Sequence, residues 1–209
     1  MNKVFFLFLM LSLVACKTKD IAQKTSASQQ VIPIDNNRES FSVELTSNGI
    51  VFKISVIQEP EDKVLSVSTI GLKQREYAEN FNIIGEIVVD AELADLNMDN
   101  SPELLIYTQS VGSGSYGKVY AFSVNNLQSM SQVYMPPFYE DEKIKQGYMG
   151  HDEFEVVENT LIQHFPIYEP GDSNAKPTGG VRKIFYQLVD GEASRRLVPT
   201  KIIEEENNK

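Results

Sequence analysis

The stretch SFSVELTSNGIVFKISVI, residues 40–57, alternates polar and apolar residues on both sides of Asn48-Gly49. Alternation has the period of a strand, whose successive side chains face opposite sides of a sheet. Asn-Gly supplies the two left-handed residues of a tight hairpin turn. Together they fix the pairing, because a slip of one residue would turn every apolar side chain out to water. The same pattern continues down the chain. KVLSVSTIGL, NIIGEIVVDAEL, PELLIYTQS, GKVYAFSV, DEFEVVE, NTLIQHFPIY, GVRKIFYQLV and RRLVPTKII are short and rich in β-branched and aromatic residues, and Gly, Pro, Asn and Asp punctuate them. Only LKQREYAENF and YEDEKIKQ read as a helical turn or two. The predicted fold is all-β: a single-domain antiparallel β-sandwich or partly open barrel with at most one or two short helices. No segment recurs at a fixed period, which argues against a propeller.

The first sixteen residues, MNKVFFLFLMLSLVAC, stand apart from this pattern. A lysine, an apolar run from Val4 to Ala15 and then a cysteine form the layout of a secretory signal, and the run is too short for a permanent membrane span. Leu13, Val14, Ala15 and Cys16 read as a lipobox, with Cys16 as the lipidated first residue of the mature chain. Cys16 is the sole cysteine, so it has no disulfide partner within the chain. The organisation expected is a signal over 1–15, the lipidated cysteine with a polar tether over 16–38, the β domain over 39–203 and a polar tail over 204–209. The protein is expected to be exported and lipid-anchored to a bacterial membrane, on the periplasmic side or at the cell surface.

The net charge of −10 becomes −11 once residues 1–15 are removed, since they carry Lys3 and no acid. Nucleic acid is an unsuitable partner, because its binding depends on Lys and Arg neutralising phosphates. An acidic exported protein instead suits a basic partner, whose approach its field accelerates. Spacing along strands leaves a homodimer open.

In DLNMDNSPELL, Asp95, Asn97, Asp99, Ser101 and Glu103 fall at every second position. That spacing suits either a calcium loop with oxygen ligands or a turn capped by its own Asx side chains. Asn100 stands where a calcium loop has glycine, and Ile106 stands where the bidentate glutamate belongs. No cofactor is required, and structural calcium is the one candidate. A calcium-stabilised adhesion or scaffold lipoprotein is therefore the alternative function.

The loop in SVGSGSYGKVYAF, residues 110–122, crowds three glycines and three serines around Tyr116 between two strands. A phosphate cradle needs a lysine and a hydroxyl residue at the start of a helix, whereas Tyr116 and Gly117 lead into the strand-like KVYAFSV. Catalysis finds no support either. The histidines are His151 and His164, and His151-Asp152 read as strand neighbours facing opposite ways. No nucleophile elbow is present. Gly112, Gly114 and Gly117 are expected to turn the backbone through positive φ and keep the loop thin.

Residues 113–116 read S-G-x-Y, and DLNMDNSPELLIYTQSVGSGSYGKVYAF, GYMGHDEFEVVE and FPIYEPGDSNAKPTGGVRKIFYQL follow in order over about residues 90–190. In these blocks the chain resembles the bacterial periplasmic inhibitors of invertebrate-type (I-type) lysozyme, the PliI family. The resemblance implies a non-enzymatic all-β inhibitor whose partner is an I-type lysozyme or a related basic muramidase. It also implies that Ser113, Gly114, Ser115 and Tyr116 enter the enzyme's cleft, with Ser113 and Tyr116 as the contacting side chains. Tyr148, His151, Tyr168, Asp172 and Asn174, in the other two blocks, are candidates either for the rim of the same surface or for pinning turns such as PGDSNAKPTGG. A lipid anchor departs from the freely soluble character that the family name suggests.

Overall fold

The computed structural model describes residues 39–137 and 141–206. The stretches read as a signal over 1–15 and a tether over 16–38, with Cys16, lie outside the described residues. Among the described residues there are twelve strands and one helical turn. The strands are β1 (Glu39–Ser47), β2 (Ile50–Gln58), β3 (Lys63–Ile70), β4 (Ala78–Asn82), β5 (Glu86–Ala94), β6 (Glu103–Ser110), β7 (Gly117–Asn125), β8 (Ser129–Val133), β9 (Glu153–Val157), β10 (Thr160–Pro166), β11 (Val181–Val189) and β12 (Arg196–Glu205). The helix, α1 (Glu142–Lys145), begins at Asp141, whose side chain accepts the Lys143 N–H. β12 extends into the stretch read as a polar tail. No helix among the described residues is long and apolar enough to cross a membrane.

The strands form three antiparallel four-stranded sheets in chain order: β1-β2-β3-β4, β5-β6-β7-β8 and β12-β11-β10-β9. Asn48 (φ 52°) and Gly49 (φ 77°) make the hairpin turn, with Ser47 paired to Ile50. The expected sandwich thus has three layers, each a four-stranded meander, although no sequence repeat announces them.

Alternation explains the stacking. Leu104, Ile106, Tyr120, Phe122 and Val124 of the middle sheet pack on Val43, Phe52, Ile54 and Leu65 of the first. The intervening residues Leu105, Tyr107, Val119 and Ala121 pack on Leu161, Phe165, Ile184 and Tyr186 of the third. The middle sheet is covered on both faces, so β6 and β7 read as nearly unbroken apolar runs, whereas β2, with one solvated face, alternates.

LKQREYAENF does not form the helical turn expected of it. Glu76 accepts the Gly71 N–H (2.7 Å) and the Thr69 hydroxyl (2.9 Å), which folds the segment back, and residues 78–82 pair with β3 as β4. The rings of Tyr77 and Phe81 then lie 5.5 and 5.7 Å from that of Phe122, a tertiary contact that outweighs local helix propensity. β8, with its polar sequence SMSQV, carries too weak an alternation to be read as a strand.

The Asp95 loop is closed by its own hydrogen bonds. Asp95 accepts the N–H groups of Asp99 and Asn100 (both 3.0 Å), and Asp99 accepts that of Ser101 (2.7 Å). Asn97 donates to Asp99 at 2.9 Å. The cation in this loop is a guanidinium: Arg195 donates to Asp99 at 2.8 Å and to the Ser123 hydroxyl at 2.6 Å, and lies 3.5 Å from Glu103. Glu103 accepts the Leu96 N–H (2.8 Å) and the Ser123 hydroxyl (2.7 Å). The described residues contain no group of three or more His, Cys, Asp or Glu side chains arranged to hold a metal. Here the Asx-capped turn is the arrangement observed, and calcium added after chelation should leave the melting temperature unmoved. A rise with calcium concentration would show that the ion binds the folded state.

Glu103 has 0% exposure, and this burial pushes its carboxyl from the ordinary 4.5 up to about 7, against the opposing pull of Ser123, Leu96 and Arg195. Below pH 4.5 the group is neutral in both folded and unfolded chains. Between about 4.5 and about 7 only the folded chain keeps the proton, so its contribution to stability falls as pH rises through that window. Denaturant midpoints measured at pH 5 and pH 8 should therefore converge in Glu103→Gln relative to the wild type, and an unaltered pH dependence would contradict this assignment.

Candidate functional site

The β6–β7 connection projects from the middle sheet as a small tip with a closed neck. Ser110 N–H donates to the Tyr116 carbonyl and Tyr116 N–H to the Ser110 hydroxyl, each at 2.8 Å. Within the tip, Ser115 N–H reaches the Gly112 carbonyl at 3.2 Å. Ser113 is exposed, Tyr116 is 50% exposed and Val111 69%. The left-handed residue is Ser115 (φ 43°), so the expectation of positive φ at Gly112, Gly114 and Gly117 is corrected. What Gly114 provides is room: a Cβ there would come within 2.5 Å of the Tyr116 ring. Gly112 faces open space.

Two other loops fasten this tip. From the segment after α1, His151 N–H donates to the Gly114 carbonyl at 2.6 Å, and the Tyr148 ring meets the Tyr116 ring edge to face at 5.7 Å. Gly150 (φ 90°) lies between them, where a Cβ would stand 2.0 Å from the Gly114 carbonyl oxygen. From the β10–β11 connection, the Asn174 side-chain amide donates to the Ser113 carbonyl. The His151 ring Nε2 is 3.2 Å from Asn174 Oδ1, and the Tyr168 hydroxyl donates to the Asn174 carbonyl at 2.9 Å. Asp172 does not touch the tip. It accepts the N–H groups of Glu169 and Thr178 (both 2.8 Å), which shape the loop carrying Asn174 and hold its carboxyl below the ordinary range.

Beneath the tip lies Asp152, 1% exposed, one residue before β9. Its Oδ2 accepts the Gly117 N–H at 2.8 Å and the Tyr148 hydroxyl at 2.6 Å, and its Oδ1 accepts the Gln163 side-chain amide at 2.7 Å. Burial pushes the Asp152 carboxyl up, and burial beside that carboxylate raises the Tyr148 hydroxyl. The shift of the hydroxyl leaves Tyr148 a neutral donor at physiological pH.

On its other side Tyr116 borders an open groove of about 930 Å³ that runs over β7 toward residues 133–137. Lys118 crosses this groove's floor, 3.3 Å from Glu86 and 4.2 Å from the Tyr120 ring centroid. The exposed face of the site is thus hydroxyl groups, one aromatic body and backbone, bordered by Lys118 in the groove, with the Asp152 carboxylate turned inward. Such a surface can fill a polar cleft and exchange hydrogen bonds with it.

The structure brings Ser113, Gly114, Ser115, Tyr116, Tyr148, His151 and Asn174 into one cluster, with Tyr168 one hydrogen bond away and Asp172 supporting the loop behind. The residues that sequence reasoning missed are Asp152, Gly150 and Gln163. His151 and Asp152 are not strand neighbours: His151 has φ 60°, which frees its N–H for the tip while Asp152 turns inward. No local spacing marks Asp152, whose place shows only in the donors that converge on it from β7, β10 and the segment after α1.

No curated protein and no solved structure matches this chain. The family model described as periplasmic lysozyme inhibitor of I-type lysozyme, PliI, matches residues 80–142. The second and third blocks of the resemblance, which begin at Gly147 and Phe165, lie beyond that match. From β4 through the tip to the first residue of α1, the chain is similar to the PliI inhibitors of I-type lysozyme.

Proposed function

We propose that this protein inhibits a lysozyme of the invertebrate type by seating residues 113–116 in the enzyme's glycan cleft. The observation that carries this reading is the position of the tip: it lies inside the matched residues 80–142, its tyrosine half exposed, and neighbouring loops fasten it. Lysozymes cleave their glycan with two carboxyl groups, one of which must be protonated. A blocker of such a site needs groups that both donate and accept, and the hydroxyls of Ser113 and Tyr116 do both. The tyrosine ring adds area in a saccharide subsite while giving up few rotamers. The net charge of −10, or −11 without residues 1–15, speeds encounter with a basic enzyme. In this reading residues 1–15 direct export, and Cys16 carries a lipid that keeps the inhibitor beside the cell wall it protects.

The test is suppression of cell-wall lysis by I-type lysozyme, with chicken-type and goose-type enzymes run alongside to define the target class. Ser113→Ala combined with Tyr116→Ala should weaken inhibition about a hundredfold, the loss of two central contacts, while the melting temperature falls by no more than a few degrees. Undiminished inhibition by the double variant would contradict the proposed mode of binding.

A further inference from the structure

We propose that Asp152 is the positioning residue of the tip: its buried carboxylate ties the neck of the β6–β7 hairpin and the Tyr148 ring to the β10–β11 pair, and so holds Tyr116 in the orientation that meets an enzyme cleft. This rests on the inhibitory reading above. The carboxylate touches no partner itself, since Asp152 is 1% exposed.

The donors that converge on it sit at the joints of the tip. Gly117 N–H is the first backbone donor after Tyr116, at the neck. The Tyr148 hydroxyl belongs to the ring that buttresses Tyr116. Gln163, on β10, accepts the hydroxyl of Tyr186 on β11 at 2.7 Å, which extends the network into the packed core. On the β6 side of the neck, the Gln109 side-chain amide donates to the Asp152 carbonyl at 3.2 Å. Both strands of the hairpin are therefore fastened to one residue.

The chemistry explains why an acid stands here. Three donors converge on one side chain, and an ionised carboxylate is acceptor-only, with lone pairs for all of them. Removal of the carboxylate would take from the Gly117 amide, the Tyr148 hydroxyl and the Gln163 amide the acceptor they share. Backbone contact is just as close, since a Cβ on Gly117 would lie 2.6 Å from the Asp152 Cβ and 2.7 Å from the Phe154 ring. A tip held this way gives up little freedom on binding, so its order in the free state becomes affinity.

Asp152→Ala, Asp152→Asn and Tyr148→Phe in the purified protein test this. Amide hydrogen exchange of residues 110–117 and His151 in the free protein is measured beside inhibition of I-type lysozyme. In Asp152→Ala, exchange at these amides should rise about tenfold or more while the first sheet is unaffected, and inhibition should fall by a similar factor. Asp152→Asn should recover most of both, because its amide oxygen can still face Gly117 and Tyr148 if Gln163 turns its amide over. If Asp152→Ala does not fold, Tyr148→Phe keeps the ring, removes one bond, and should show the same two changes at smaller size. Unchanged exchange at residues 110–117 in a folded Asp152→Ala or in Tyr148→Phe overturns the proposal. So does a loosened tip that inhibits as well as the wild type. A wild-type protein that does not inhibit would overturn the inhibitory reading instead, and the exchange rates would still decide the positioning role.

Discussion

Burial of the β6–β7 hairpin on both of its faces is the constraint from which the rest of this structure follows. Leu104 and Ile106 face one core and Leu105 and Tyr107 the other, so neither strand can shift without disturbing two packed interfaces at once. The connection between these strands is the tip that carries Ser113 and Tyr116. Loops on protein surfaces usually carry function at the expense of order. Here the tip is mounted on the layer covered on both faces, and it is fastened by a backbone bond from His151 to Gly114 and a side-chain bond from Asn174 to Ser113.

The polar groups of the interior divide into two networks with different tasks. At one end of the middle sheet, Arg195, Asp99, Glu103 and Ser123 close the turn that leads into β6. Around the tip, Asp152, Tyr148, Gln163 and Tyr186 close the base of the site. Each network centres on a buried acid, but only the first includes a guanidinium among these partners. The second relies on neutral donors, the Gly117 amide, the Tyr148 hydroxyl and the Gln163 amide.

The strands were legible wherever one face meets water, because alternation then marks the pleat, as in β1, β2 and β11. β4 and β8 were not. The first is written in helix-forming residues and depends on Tyr77 and Phe81 reaching Phe122, and the second is short and polar. The three-layer arrangement was equally hidden, since meanders equal in strand number share no repeated residues. The tip itself could be found by its composition, and Tyr148, His151 and Asn174 by the blocks in which they sit. Asp152 could not, because the feature that marks it is convergence of donors from β7, β10 and the segment after α1, and no local spacing encodes that. Nor could composition show that Ser115, and not a glycine, takes the left-handed conformation.

The central claim is that the tip and a glycan compete for one cleft. Competition with a chito-oligosaccharide long enough to fill the lysozyme subsites tests it most directly: the apparent affinity of this protein for I-type lysozyme, measured at rising saccharide concentration, should fall in proportion to the fraction of clefts occupied. A ternary complex of lysozyme, saccharide and this protein, formed with undiminished affinity, would contradict it.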